Sequence, residues 1–321
     1  MIQRRSLLIS GAATALGALI GGRANARARA STPNLPPLRK GSRLRAVNPG
    51  TWIEPDTTFD ALIDRCAAEG WTLELPTSVT EQWRYFSGRD HERAVELSRA
   101  WADPNVDAVI SLGGGWGSAR VLEAGFQFPP RPKWSLGFSD SSSLLLAQWS
   151  AGLPGAIHGS TSGPAEQWQR TVALLKGLPV APLDGRGLVQ GIGEGPLVVT
   201  NLTVGTHLIG TPWMPPLDGA IVVFEDVGEA PYRVDRMLTQ WRSAGLLDKL
   251  AGVACGRFSW IGNDIMPGDF SMEEVLENRL GALGVPLVVN LPIGHGLPNQ
   301  ALPLGQRARL DGRRGRLSLL P

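Results

Sequence analysis

Cysteine is scarce in this chain. Cys66 and Cys255 are the only two in 321 residues, too few for a disulfide scaffold or a four-thiolate zinc site. Histidine numbers four (His91, His158, His207, His295), and no two have the i, i+4 spacing of a helical metal pair. No metal and no cofactor is therefore expected. A basic excess is also missing: 31 Lys and Arg face 29 Asp and Glu, for a formal net charge of +2. That excludes binding driven by phosphate neutralisation, so no nucleic-acid partner is expected. Beyond residue 30 no apolar run approaches the ~20 residues that span a bilayer, and there are no internal repeats. What is present is 43% hydrophobic and 19% charged, which excludes disordered, coiled-coil and collagen-like classes. At about 150 residues per domain the length suggests two domains, since single cores rarely grow past about 250–300 residues.

Residues 1–30 read as an export signal. Arg4-Arg5 precede a mildly apolar stretch to Ile20, and small-x-small triplets follow between Ala24 and Ala30. Paired arginines favour the twin-arginine route and a periplasmic destination. The alternative is a membrane anchor, but Ser6–Ile20 is 15 residues, short of a span. The segment holds five arginines and no acid, so cleavage near Ala30 leaves 26 basic against 29 acidic residues and a charge of −3. In an oxidising compartment Cys66 and Cys255 could pair. They lie 189 positions apart in different proposed domains, and two separate buried thiols is the expectation.

Residues 31–42 read as a linker, 43–160 as an N-terminal α/β domain, 161–190 as a connector and 191–321 as a mixed α+β domain. In the first domain, short apolar strands (Leu44–Val47, Trp71–Leu75, Val106–Leu112, Trp134–Phe138) alternate with helical patterns, with Asp90 a candidate N-cap. Such alternation implies a parallel, flavodoxin-like sheet, and ligands of such sheets sit beyond the carboxyl ends of the strands. In the second domain, strands are read at Leu197–Val199, Ala220–Phe224 and Val253–Phe258. Val234, Met237, Leu238 and Trp241 mark an amphipathic helix, and Ser271 with Glu274 forms a capping box before another.

Gly113-Gly114-Gly115-Trp116-Gly117 lies between a strand and a helix. It misses the dinucleotide fingerprint by one glycine, because Ser118 stands at the sixth position, and no lysine follows as a P-loop requires. The other use of such a loop is to bring bare backbone N–H groups close to a reacting oxygen. Gly137-Phe138-Ser139-Asp140-Ser141 resembles a nucleophile elbow at a strand-to-helix junction, with Ser141 in place of the last glycine. Read locally, Ser139 is equally a helix N-cap. Glu225 ends an apolar strand and His295 sits between two glycines. The order Ser…Glu…His recurs in serine hydrolases. A hydroxyl needs a base to become a nucleophile, and the imidazole needs a carboxylate to fix its tautomer. His158 is read as a packed histidine at a strand end, with a pocket role as the alternative. His91 and His207 have no partner pattern.

Seven blocks occur in order: Arg84–Gly88, Gly114–Gly117, Gly137–Asp140, Ala156–Gly159, Asn201–Thr203, Phe224–Glu229 and Gly294–Gly296. Together they resemble the LD-carboxypeptidase family, which includes muramoyl-tetrapeptide carboxypeptidases and microcin immunity peptidases, over about 43–315. The resemblance implies a metal-free Ser–His–Glu hydrolase, usually a homodimer, with its active site between the two domains. Ser139 would be the nucleophile, Glu225 the orienting acid and His295 the base. The Asp140 N–H, with one from Gly114 or Gly115, would form the oxyanion hole, and Trp116 and Asn201 would line the substrate site. The implied activity is release of a C-terminal D-amino acid from peptidoglycan stem peptides by cutting an L,D amide bond. The alternatives are hydrolysis of a peptidyl-nucleotide antibiotic, or a non-catalytic periplasmic muropeptide-binding protein.

The chain departs from the family pattern at Gly113 and Trp116, where Arg and Tyr are common, and at Val199-Thr200, where glycines are usual. A carboxypeptidase must hold its substrate's free carboxylate. Arg233, near the Glu225 strand, is the candidate cation in place of the missing arginine; the alternative is a pocket relaxed toward larger C-terminal groups.

Overall fold

The computed structural model describes residues 35–260, 262, 266 and 268–321. The segment read as an export signal lies outside them. Among the described residues no helix is long and apolar enough to cross a membrane.

The first half of the chain runs β1 (Arg43–Val47), α1 (Asp60–Ala68), β2 (Thr72–Glu74), α2 (Asp90–Ala102), β3 (Ala108–Ser111), α3 (Ser118–Glu123), β4 (Trp134–Gly137), α4 (Ser142–Ser150), β5 (Ala156–His158) and α5 (Ala165–Leu175). Strands β5-β4-β3-β1-β2 pair in that order, all parallel. Side chains alternate across a strand, so each strand feeds two helical layers. Leu44, Ala46, Ala108 and Ile110 pack with Leu62, Cys66, Trp168 and Leu175 on one face. Val47 and Val109 pack with Leu97, Trp101, Val121 and Leu122 on the other. A sheet buried on both faces reads as continuous apolar runs, as the central β3 does, whereas β1 and β2 interleave polar residues. Asp90 does not cap α2: it is the first helical residue, and its carboxylate pairs with Arg93 and Arg120, each at 2.5 Å.

The second half adds β6 (Leu183–Asp184), β7 (Arg186–Val189), β8 (Ile192–Asn201), α6 (Leu202–His207), β9 (Ile221–Val227), α7 (Pro231–Ser243), β10 (Gly252–Ser259), α8 (Met272–Leu280), β11 (Leu287–Val289), β12 (Leu302–Pro303), β13 (Arg307–Asp311) and β14 (Arg316–Leu319). Its sheet has the order β6-β14-β13-β8-β9-β10-β11-β7. The central β8–β11 are parallel and the flanks antiparallel. Helices α7 and α8 seal its core through Val234, Leu238, Trp241, Val275 and Leu280. Trp241 is fully buried, edge-on to Phe224 at 4.9 Å, and its indole N–H donates to Thr206 Oγ1 at 2.9 Å. Truncating such a side chain to alanine costs about 3–5 kcal/mol. Ser271 and Glu274 form the expected reciprocal cap of α8.

Two stretches are organised differently from the boundaries read in the sequence. Within 161–190, α5 packs Trp168, Val172 and Leu175 into the first core, and β6 and β7 are edges of the second sheet. Within 191–321, β12 returns to the first sheet, antiparallel to β5 (Leu302 opposite His158). Strands of two residues, such as β6 and β12, carry no periodicity to be read, and Pro303 is tolerated because β12 is an edge. Helix α4 forms the seam between the halves. Leu144 and Ala147 face the first core, whereas Leu145 and Leu146 face the second. Cys66 and Cys255 are free, buried in separate clusters, and burial pushes their thiols up to about 11 and about 12.

Candidate active site

Loops leaving the carboxyl ends of β3, β4 and β5 meet residues borne on β9 and after β11. Strand β4 ends at Gly137, Phe138 is extended, and Ser139 turns back at φ +57° into a single 3-10 turn ahead of α4. A Cβ on Gly137 would lie 2.7 Å from Ser141 Cβ, so the doubling back requires glycine there. The strained φ of Ser139 is the signature of an elbow. Ser139 is not an N-cap: Ser141 occupies that position of α4, and Ser139 Oγ lies 3.2 Å from His295 Nε2.

His295 is set by two more constraints. Gly294, at φ +95°, sits against Glu225, and a Cβ there would lie 2.7 Å from Glu225 Cβ. Its N–H donates to Asn299 Oδ1 at 2.9 Å, and the Asn299 N–H in turn donates to Gln167 Oε1 at 2.6 Å. Glu225 is completely buried on β9. Its Oε2 accepts both the His295 backbone N–H (3.2 Å) and Nδ1 (2.8 Å). A proton on Nδ1 leaves the Nε2 lone pair toward Ser139, the tautomer a general base needs. The Phe138 ring lies 4.5 Å from the imidazole and 5.2 Å from that of His158. His158 is buried, and burial pushes its pKa down to about 4, so it packs as a neutral ring.

The glycine loop lies beside the serine. A Cβ on Gly114 would sit 3.6 Å from Ser139 Cβ and 3.7 Å from its Oγ. Gly115, at φ +75°, has no room for a Cβ against Thr51 Oγ1 at 2.2 Å. The loop has the bare backbone of an oxyanion site. Side chains whose roles the sequence did not reveal hold it. Asp140, buried beside the elbow, accepts from the Ser118 N–H (2.8 Å) and hydroxyl (2.7 Å). Burial raises its pKa, opposed by the Ser118 bonds and the Arg93 charge. Buried Arg93 donates to the carbonyls of Gly117 (2.9 Å), Gly88 (3.1 Å) and Pro49. An arginine inside an amphipathic helix gives no such signal in sequence.

A cavity of about 340 Å³ opens over the serine. It is lined by Gly113, Gly114, Gly115, Phe138, His295 and the Ser160-Thr161-Ser162 turn beyond β5. That turn lies at the sheet edge where a ligand is expected, a signal the sequence offered. Three expected substrate residues are not among those lining this cavity. Asn201 caps α6, accepting from the Val204 N–H at 3.0 Å, and its amide donates to Asp226 at 3.1 Å. Trp116 is 40% exposed, its backbone held by Thr51, its ring edge-on to His207. Arg233 stands exposed on α7, paired with Glu229 (3.6 Å) and the Tyr232 hydroxyl (3.1 Å). Among the described residues no three His, Cys, Asp or Glu side chains gather as a metal site needs.

Fold and geometry define a two-domain α/β protein with a hydroxyl, an imidazole and a buried carboxylate in hydrogen-bonded series. The model of the LD-carboxypeptidase N-terminal domain matches residues 45–159, and that of the C-terminal domain matches 194–310. The chain belongs to the LD-carboxypeptidase family, and so to the peptidases. A carboxypeptidase-named protein of Synechocystis is 40% identical over 291 residues, 88% of this chain and 96% of its own. The murein tetrapeptide carboxypeptidase of Pseudomonas aeruginosa is 32% identical over 292 residues, 85% of this chain and 94% of its own. The crystal structure of muramoyltetrapeptide carboxypeptidase from Oxalobacter formigenes superimposes with a TM-score of 0.74 at 27% identity, covering 87% of this chain and 98% of that one. The microcin C7 self-immunity protein MccF shares the fold, with a TM-score of 0.76 at 20% identity, covering 89% and 98%.

Proposed function

We propose that this chain is a serine-type LD-carboxypeptidase that removes the C-terminal D-residue of a murein stem peptide. The observation that carries the reading is the series Ser139 Oγ–His295 Nε2 (3.2 Å) and His295 Nδ1–Glu225 Oε2 (2.8 Å). Ser139 attacks the carbonyl of the L,D amide while His295 takes its proton, and Glu225 steadies the resulting imidazolium. The backbone N–H of Asp140, with one from Gly114 or Gly115, receives the oxyanion. His295 then passes the proton to the leaving amine, the C–N bond breaks, and an acyl group remains on Ser139. Water, deprotonated by His295, hydrolyses that ester and restores the serine. The murein names of two relatives support this substrate class. Export to the periplasm, supported by the arginine-paired leader, and a homodimer, supported by the family resemblance, complete the reading.

Mass spectrometry of murein tetrapeptide incubated with the protein tests it. Loss of one D-alanine supports the reading. Unchanged peptide with measurable binding supports a non-catalytic binding protein, and cleavage confined to a peptidyl-nucleotide supports the antibiotic-hydrolysing alternative.

A further inference from the structure

Next to the serine cavity lies a second one of about 420 Å³, between α1 and the turn after β5. The two share Gly113, Thr161 and Ser162 as their common wall. Among the described residues lining either, Arg65 is the one with a permanent charge. The serine cavity by itself offers a free carboxylate only hydroxyls, backbone and a base that must stay neutral.

Arg65 is half-buried on α1, and its fork is already oriented. Nη1 donates to the Thr161 carbonyl at 3.1 Å and Nη2 to that of Gly163 at 2.6 Å. A guanidinium has five N–H donors, so three remain. Ile53, Phe59, Leu62 and Leu112 form the apolar part of the same cavity, and an apolar surround strengthens a charge-assisted bond. The 161–163 turn also has a brace of its own: Gln167 Nε2 donates to the Ser162 carbonyl at 2.6 Å. Arg65 is therefore more than is needed to hold the turn.

We infer that this second cavity is the subsite of the leaving residue. Arg65 holds the substrate's C-terminal carboxylate, the task for which the sequence suggested Arg233. The apolar walls accept a leaving side chain larger than a methyl group. Arg65 is a binding and specificity residue; it takes no proton and forms no bond to the reacting carbonyl. The inference rests on the carboxypeptidase reading above.

Calorimetric binding in a Ser139→Ala background tests it, using murein tetrapeptide as the free acid and as its C-terminal amide. A charge-assisted hydrogen bond is worth about a tenfold to hundredfold change in affinity. Arg65→Gln is expected to weaken the acid by that factor, down to the level of the amide, and to leave the amide unchanged. Arg65→Lys should recover part of the loss, since it keeps the charge without the fork. Steady-state kinetics with Ser139 present should place the loss in KM, with kcat little changed. Equal weakening of acid and amide would overturn the inference and leave Arg65 as a brace of the turn, and so would no weakening of either. Binding of neither peptide with Arg65 intact would remove the murein reading itself, and this subsite with it.

Discussion

Gly294→Ala isolates how the histidine is positioned. The added Cβ would meet Glu225 Cβ at 2.7 Å and Oε2 at 2.8 Å, whereas carbon atoms settle at about 3.5–4.0 Å. Glu225 is fully buried on a central strand, so the His295 loop must give, by roughly 1 Å. A misplacement of that size costs about 10²-fold in rate. The substitution also places a side chain at φ +95°, which costs on the order of 1–3 kcal/mol and lowers Tm by several degrees. Gly284→Ala is the control, because it has φ +72° with nothing within 4 Å of the added Cβ. It shares the backbone cost without the clash. The measurement is kcat on murein tetrapeptide beside Tm for both variants. Both should melt lower, and only Gly294→Ala should lose about 10²-fold in kcat. A Gly294→Ala enzyme within twofold of wild type would refute the reasoning.

Three further outcomes follow from the geometry. Ser139→Ala, Glu225→Ala and His295→Ala should each lower kcat by several orders of magnitude, and the triple variant should be little worse than Ser139→Ala, because the three act as a unit. His158 has its pKa depressed by burial to about 4, so the unfolded chain binds the extra proton first as pH falls. Its stabilising contribution is complete above the unfolded value near 6.5 and shrinks by about 2 kcal/mol between pH 7 and 5; denaturant titrations at the two pH values should give a smaller difference for His158→Asn, and equal differences would contradict the assignment. A chelator should leave turnover unchanged, and zinc-restored activity after EDTA would overturn the mechanism.

The parts legible in the sequence are those where local chemistry and position coincide. Gly137 and Ser139 stand at a strand-to-helix junction, and Gly294 flanks His295, so tight backbone and reactive side chain were readable together. Parallel strands announced themselves through apolar runs bounded by glycine. Roles set by distant partners were not legible. Asn201 is expected at the substrate, and nothing in its sequence shows that its amide donates to Asp226 and caps α6 at the Val204 N–H. Arg233 is near Glu225 in sequence but points to Glu229 and Tyr232. Arg65 reads as an ordinary surface position of α1 and meets the Thr161 and Gly163 carbonyls only through a long-range fold contact. The return of β12 to the first sheet depends on two residues, below any periodicity.

The central claim is that Ser139 becomes covalently acylated with help from His295. Rapid-quench mass spectrometry with murein tetrapeptide tests it directly. The account predicts a transient adduct, equal in mass to the tripeptide acyl group, on the peptide that contains Ser139. The adduct should be absent in Ser139→Ala and in His295→Ala. An adduct on another residue, or full D-alanine release by Ser139→Ala, would contradict it.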